Sequence, residues 1–239
     1  TLLFEPNLVP GFANRMVARW ASAAAVQFEE TRGRFRNAVV TGVPVRQEFF
    51  AIPPRPANAP PALLVFGGSQ GAGALNRVMM ESAAALKLAG LSVIHQTGER
   101  DYNQAKAAYQ QSGLSAEVTP FIDRMPEAFA RADLLLCRSG ASTVAEVVAA
   151  GKPAIFVPFP RASDDHQRRN AEALVAAGAA VLIPEAELTS AHLMKTVGEL
   201  LADKKRLGEM SAAARKLAHP DAAEETAQMA ARLAGVAKQ

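Results

Sequence analysis

The stretch Cys137–Phe159, CRSGASTVAEVVAAGKPAIFVPF, reads as the end of a strand, a loop of small residues, a helix and a second strand. The apolar run Leu134-Leu135-Leu136-Cys137 feeds a turn at Arg138 to Ser142, and the spacing predicts a helix over Thr143 to Ala150, closed at Gly151 by a left-handed cap. The chain re-enters a strand at Ala154 to Val157. A loop of small residues at the carboxyl end of a strand, leading into a helix N-terminus, is where an α/β protein can hold an anion. Glu146 falls in the first turn of the expected helix, where a carboxylate can accept two hydrogen bonds from a ribose diol. A phosphate at the loop and a diol at the glutamate together describe a nucleotide. The same residues also fit a capping box, with Thr143 capping the helix and Glu146 reaching back to it. Cys137 reads as a small buried hydrophobe.

Around this stretch the periodicity is regular. Expected strands at Ala62 to Phe66, Ser92 to Gln96, Glu117 to Thr119, Asp133 to Cys137, Ala154 to Val157 and Ala180 to Ile183 alternate with helices. Those helices are expected at Ala74 to Ala89, Asp101 to Gln111, Met125 to Arg131, Thr143 to Ala150 and Gln167 to Ala176. Short apolar strands separated by amphipathic helices predict a Rossmann-like, doubly wound α/β parallel sheet covered on both faces. Three more helices close the chain, at Ser190 to Ala202, Lys204 to Leu217 and Asp221 to Ala234. Residues Ile52 to Ala62 carry five prolines among eleven residues, which excludes helix and central strand and predicts a linker. Before it, short elements at Leu2 to Phe4, Gly11 to Ala21, Ala24 to Phe28 and Val39 to Thr41 make too little for a domain and read as the end of one.

Of 239 residues, nearly half are apolar, ample for a core. The net charge of +3 comes from 26 basic and 23 acidic side chains, which argues against nucleic acid as a partner. The densest basic group, Arg32, Arg34 and Arg36, fits a solvated face or a contact with an anionic surface. One cysteine excludes an internal disulfide framework and agrees with a reducing compartment. Single histidines at 95, 166, 192 and 219 have no ligand spacing, and no Asp-x-Asp motif is present, so neither a metal nor a cofactor is expected.

Two further loops follow strands. LLVFGGSQGAGALN, Leu63 to Asn76, places Gly67, Gly68, Gln70 and Gly71 where backbone N–H groups can approach a ligand, with the Ser69 hydroxyl as a phosphate donor. It is neither a P-loop nor a G-x-G-x-x-G fingerprint, and a turn without ligand remains open. PRASDDHQRRNA, Pro160 to Ala171, offers Asp164 or Asp165 as a helix cap, and His166 and Gln167 as readers of sugar hydroxyls or as surface side chains. Three polar loops at the carboxyl ends of strands in one sheet converge on one crevice.

Together GGSQGAGALN (67 to 76), FID (121 to 123), CRSGASTVAE (137 to 146), AAGKPAIFVPF (149 to 159) and DDHQRRNA (164 to 171) resemble glycosyltransferase family 28. Within it, the similarity is to the lipid II-forming N-acetylglucosaminyltransferases of peptidoglycan synthesis. EPNLVPGFANR (5 to 15) and TGVPVR (41 to 46) match the family's acceptor-domain end and interdomain hinge, so the resemblance covers nearly the whole chain. It implies a GT-B fold, two Rossmann-like domains with the reaction in the cleft between them. It divides the chain into the end of an acceptor domain (1–46), a linker (47–61), a UDP-sugar-binding domain (62–218) and a C-terminal helix returning to the acceptor domain (219–239). Ile122 would lie by uracil, Glu146 at the ribose, and Ser69 with Ala141, Ser142 and Thr143 at the diphosphate. Arg46 would sit near the donor, and Gln167, His166 and Asn7 would bind the N-acetylglucosamine hydroxyls. The implied partners are UDP-N-acetylglucosamine, an undecaprenyl-linked acceptor, and the cytoplasmic face of the bacterial plasma membrane, met through the absent part of the acceptor domain. Phe4 and Pro6 depart from the histidine and glutamine common in the family. The chain starts at Thr1 without the family's amino-terminal loops and histidine, so an amino-terminal part is expected to be missing and the catalytic base with it. Other readings are a donor-binding subunit of a two-chain transferase, a related transferase with another lipid acceptor and, on weaker grounds, a nicotinamide dehydrogenase.

Overall fold

The structure is a computed structural model that describes residues 1–56 and 58–236; residue 57 of the expected linker and residues 237–239 of the C-terminal segment lie outside the described residues. Two parallel sheets organise it. The smaller is formed by β1 (Leu2–Glu5), β2 (Ala23–Val26) and β3 (Ala38–Val40), in that order, with α1 (Phe12–Val17) and α2 (Glu29–Arg32) as crossovers. The helix expected over Gly11 to Ala21 is shorter, because after Val17 the chain tightens into a 3-10 turn at Ala18–Trp20. After α3 (Gln47–Phe50) come β4 (Ala62–Phe66), α4 (Gly73–Glu81), α5 (Ala83–Leu88), β5 (Ser92–Gln96), α6 (Tyr102–Ser112) and β6 (Ala116–Thr119). The second half continues with α7 (Met125–Ala130), β7 (Leu134–Cys137), α8 (Ala141–Ala150), β8 (Ala154–Phe156), α9 (His166–Ala176) and β9 (Ala180–Leu182). Three helices, α10 (Ser190–Ala202), α11 (Lys204–Lys216) and α12 (Ala222–Leu233), close the chain.

The six later strands form one parallel sheet in the order β6-β5-β4-β7-β8-β9. The chain starts at β4, builds outward to β6, then returns to lay β7 on the other side of β4. That reversal makes β4/β7 the topological switch point, where the two outgoing loops diverge and leave a crevice. The period of two sorts the side chains. Leu64, Phe66, Leu135, Cys137 and Phe156 join one core with α3, α7, α8 and α9. Leu63, Val65, Leu134, Leu136 and Ile155 join the other with α4, α5, α6 and α10. The single helix expected over Ala74 to Ala89 is two: at Ser82 the hydroxyl bonds back to Val78 O at 2.7 Å and across to Ser190 Oγ at 2.8 Å, and the chain bends there.

Residues 47–50 of the expected linker form a helical turn that enters the core. Phe49 is fully buried and meets Phe129 edge to face at 5.1 Å. Further on, α12 lays Met229 against Ala23, Ala25 and Leu2 of the smaller sheet. The chain crosses between the sheets twice, and the two crossings touch. Gly42 has φ +78°, and a Cβ there would come within 2.4 Å of His219, while Gln47 donates to Pro220 O at 3.1 Å.

Replacing Phe49 by Ala should cost about 3–5 kcal/mol, the range for emptying an aromatic site in a closed core. Urea unfolding would read it. A loss under about 1 kcal/mol would show that the turn at 47–50 is not part of the packed domain.

Candidate functional site

The loops after β4, β7 and β8 and those after β5 and β6 all leave the same edge of the sheet, its carboxyl edge. The glycine loop is a tight turn in which Gly71 N–H donates to Gly68 O at 2.9 Å. Gly71 has φ +72°, and a Cβ on it would lie 2.0 Å from Thr97 O, so both conformation and space require glycine. Ser69 and Gln70 stand exposed at the tip, and α4 begins at Gly73 with Ala72 as a cap that contributes no side chain.

The helix on the other side of the switch point differs from expectation. α8 begins at Ala141, two residues earlier than predicted, because Gly140 in extended conformation serves as its cap and Val144 N–H already donates to Gly140 O at 2.9 Å. Thr143 is therefore inside the helix, Glu146 lies in its second turn, and the capping box is excluded. No side chain caps α8, so its first N–H groups keep their hydrogen-bonding capacity, and their dipole faces the crevice beside the glycine loop. Ser142 is exposed and Thr143 half-buried at this mouth.

Glu146 projects from α8 half-buried, and no hydrogen bond from a described residue reaches its carboxylate. Burial raises its pKa, and the positive charge of Arg46 opposes part of that shift. Arg46 is exposed and lies over the Phe49 ring at 5.3 Å, at the end of the first crossing between the sheets. Buried Cys137 behind it has a thiol pushed well up by burial and by the Glu146 charge, which leaves it unreactive.

On the third loop, Gln167 accepts from Phe159 N–H through Oε1 at 3.0 Å, so its amide nitrogen is the end left to donate outward. Gln167 O in turn accepts from Ser139 Oγ at 2.7 Å. His166 is half-buried, with Nδ1 unpartnered among the described residues and Nε2 at 3.8 Å from Asp164. Asp165 stands at the N-cap position of α9 but contributes no side-chain cap; both aspartates adopt left-handed backbone, and Asp164 pairs with Arg15 of the smaller sheet's α1 at 3.0 Å. Asn7 does reach α9 from the smaller sheet. Its Oδ1 accepts from Asn170 at 3.1 Å and its Nδ2 donates to Glu5 at 3.1 Å, so its carbonyl oxygen is already engaged.

The crevice thus gathers Ser69, Ala141, Ser142, Thr143 and Glu146 around the switch point, with Gln167, His166 and Asn7 toward the smaller sheet. Ile122 belongs to the loop after β6, half-buried against the core.

Several residues hold the site together in roles that motif reading did not assign. Asn170 is fully buried and holds Leu8 N–H at 3.0 Å as well as Asn7. Glu5, at the carboxyl end of β1, accepts from Gly11 N–H at 2.8 Å and from Asn14 at 2.9 Å in addition to Asn7. Arg138 donates to Val157 O at 3.0 Å and Pro158 O at 3.1 Å and pairs with Glu185, fixing the loop after β8. Under the glycine loop, His95 is buried and its pKa is pushed down to about 3 by desolvation, so the ring is neutral. Asn76 donates to Thr97 O at 2.8 Å, which turns its oxygen toward His95 Nε2 at 3.0 Å and makes that nitrogen the protonated one. Tyr109 then donates to His95 Nδ1 at 2.7 Å. The signal for these residues was a pair of polar side chains, His95-Gln96, ending an otherwise apolar strand.

Among the described residues, no three or more His, Cys, Asp or Glu gather as a metal site would need, and no helix is long and apolar enough to cross a membrane.

A doubly wound parallel sheet with a glycine loop and an uncapped helix at its switch point, joined to a second parallel sheet, is the architecture of the GT-B class. Residues 62–226 match the glycosyltransferase family 28 C-terminal domain, and the chain belongs to that family. It is 46% identical over 95% of its length to a UDP-N-acetylglucosamine–N-acetylmuramyl-(pentapeptide) pyrophosphoryl-undecaprenol N-acetylglucosamine transferase from Solibacter usitatus, of which it spans 63%. A Xanthomonas campestris protein of the same description is 45% identical over 99% of this chain and 56% of its own. Among solved structures, that of Acinetobacter baumannii MurG superposes with a TM-score of 0.82 at 34% identity, covering 95% of this chain and 66% of that one. The chain therefore spans between 56% and 66% of the length of these relatives.

A carboxyl group whose folded pKa is raised favours folding most while protonated, below its unfolded value of about 4.3, and that contribution is lost as pH rises through the folded value. Glu146→Gln removes this titration, so its unfolding free energy should fall less than that of the unaltered chain between about pH 4 and about pH 7. Urea melts at both pH values would show it. Identical pH dependences would mean that the Glu146 carboxylate is ordinarily solvated.

Proposed function

We propose that this chain is the donor-binding part of an inverting N-acetylglucosaminyltransferase. It would use UDP-N-acetylglucosamine and glycosylate the muramyl 4-hydroxyl of undecaprenyl-pyrophosphoryl-N-acetylmuramyl-pentapeptide, converting lipid I to lipid II. One observation carries the reading. The uncapped N-terminus of α8 faces the glycine loop across the β4/β7 switch point, and the same helix carries, five residues in, an unpaired carboxylate. An anion at the helix end and a diol along its side are the two polar parts of a nucleoside diphosphate. The named relatives act with a UDP-N-acetylglucosamine donor, and this supports uridine as the base, read by the loop at Ile122.

In this reading the diphosphate lies between Ser69 and the turn Ala141 to Thr143, with Gly67, Gly68, Gln70 and Gly71 bringing backbone close to it. Glu146 accepts the ribose hydroxyls and Arg46 completes the uridine side. Gln167 donates its free amide N–H groups to the N-acetylglucosamine hydroxyls, flanked by His166 and by the one Asn7 N–H that Glu5 leaves over. The acceptor hydroxyl attacks the anomeric carbon, the bond to the diphosphate oxygen breaks, and configuration inverts. Negative charge then grows on departing UDP. The dipoles of α4 and α8 and the Ser69 hydroxyl face that charge and stabilise it without reorganising. The base that takes the acceptor proton is assigned to no residue of this chain.

The domain division that goes with this reading is an acceptor-domain end over 1–46, a linker over 47–61, the donor domain over 62–218 and a return of 219–239 to the acceptor side. The contact of α12 with β2 supports that last part. The acceptor lipid places the work at the cytoplasmic face of the bacterial plasma membrane, met peripherally.

Thermal unfolding with UDP-N-acetylglucosamine, UDP and NAD tests the donor reading. A ligand at about a hundred times its dissociation constant adds ~2.7 kcal/mol, which for a chain of this size raises the midpoint by roughly 5–10 °C. The rise is expected with both uridine ligands, larger with the sugar, and absent with NAD. Glu146→Ala should reduce it for both, and Gln167→Ala should remove only the sugar's increment. No rise with either uridine ligand, or an equal one with NAD, would refute the assignment.

A further inference from the structure

Gln96, the last residue of β5, stands between two loops that the proposed site uses for different parts of one ligand. The residue is 1% exposed, and both ends of its side chain are engaged: Nε2 donates to Gly68 O at 2.8 Å, and Oε1 accepts from Ile122 N–H at 3.1 Å. The orientation is unambiguous, because a backbone N–H requires the oxygen and a backbone carbonyl requires the nitrogen. Both partners are main chain, so the amide holds the position of two loops and not merely a rotamer. A second link between the two loops runs through Gly98, whose N–H donates to Pro120 O at 3.1 Å and where an added Cβ would lie 2.6 Å from Gln70 O.

We propose that Gln96 is a positioning residue for a nucleoside diphosphate, setting the separation between the loop that takes the base and the loop that takes the phosphates. The inference rests on the donor reading above. A ligand fragment that orders one loop then orders the other through this amide, and by thermodynamic reciprocity the effect runs both ways. Glu146 and the α8 N-terminus lie outside this connection, so they would bind their parts of the ligand with or without it. The expected consequence is specific: a ligand that spans both loops gains from Gln96, and one that touches a single loop gains little.

Amide hydrogen exchange on the unaltered chain tests it with uridine, with inorganic pyrophosphate and with UDP. Uridine should slow exchange at 121–123 and also at Gly71, whose N–H bonds the carbonyl oxygen that Gln96 holds; pyrophosphate should slow exchange at Ile122. Protection by uridine confined to 121–123 would overturn the proposal while leaving the donor site standing. No protection by UDP anywhere would overturn the donor reading and this inference together. Gln96→Met, similar in size but without either hydrogen bond, should weaken UDP about tenfold and uridine less than about threefold. Gln96→Glu keeps the acceptor for Ile122 but sets an oxygen against Gly68 O, and should hold uridine while losing the diphosphate increment. Equal weakening of uridine and UDP in both variants would show a merely structural amide. If either variant fails to fold, the exchange pattern of the unaltered chain decides.

Discussion

Every buried backbone N–H and carbonyl needs a partner, and a parallel sheet cannot supply one beyond its last ladder bond. At the carboxyl edge of the six-stranded sheet the chain meets this constraint with side-chain amides. Gln96 serves Gly68 and Ile122, Asn76 serves Thr97, Gln167 serves Phe159, and Asn170 serves Leu8. An amide suits the task because it donates and accepts at once and carries no charge to desolvate. The loops are thereby held from beneath and behind. Their outward-facing groups, and the first N–H groups of α4 and α8, need not be spent on holding the fold. By contrast α10 and α11 are capped by Thr189 and Asp203, which accept from His192 and Arg206 N–H.

The same constraint accounts for what could be read in the sequence. Strand positions and the alternation of faces were legible because burial on both sides of a parallel sheet demands continuous apolar runs such as Leu134 to Cys137, and Gly113 and Gly151 end their helices in the left-handed conformation glycine favours. The glycine loop was legible from Gly67, Gly68 and Gly71. The start of α8 was not. Thr143 followed by Glu146 is the common side-chain cap, whereas Gly140 caps through backbone conformation alone and leaves no mark in residue chemistry. The break at Ser82 was hidden for a related reason, since a serine bonding back to its own helix is indistinguishable in sequence from a solvated one.

The residues that brace the site were the least legible. Gln96 and Asn170 act across 26 to 163 positions of chain, and Glu5 gathers a loop whose shape is unknown until it closes. Periodicity reports which face a residue occupies, and motif spacing reports local chemistry; neither reports what lies opposite. The turn at 47–50 shows the same limit. Prolines from 53 onward correctly mark irregular backbone, yet Phe49 just before them is buried against Phe129, because a linker that leaves one sheet still has to cover the hydrophobic edge of the next.

Between the two sheets, apolar and polar contacts do different work. Phe28 packs on the larger core near Val148 and Leu174, and beside it a cavity of about 550 Å³ remains, so this contact fills space without fixing an angle. Hydrogen bonds are directional, and the seam at the crevice is made of them: Asn170 to Leu8 and Asn7, with Asn170 itself held on Ser139 O at 3.5 Å. Ser139 opens the turn into α8. The amide that sets how the smaller sheet meets the larger is therefore bonded to the turn from which α8 starts. A displacement of the smaller sheet must either break the Asn170 bonds or carry that turn with it, so the position of the second sheet and the start of α8 are mechanically one variable.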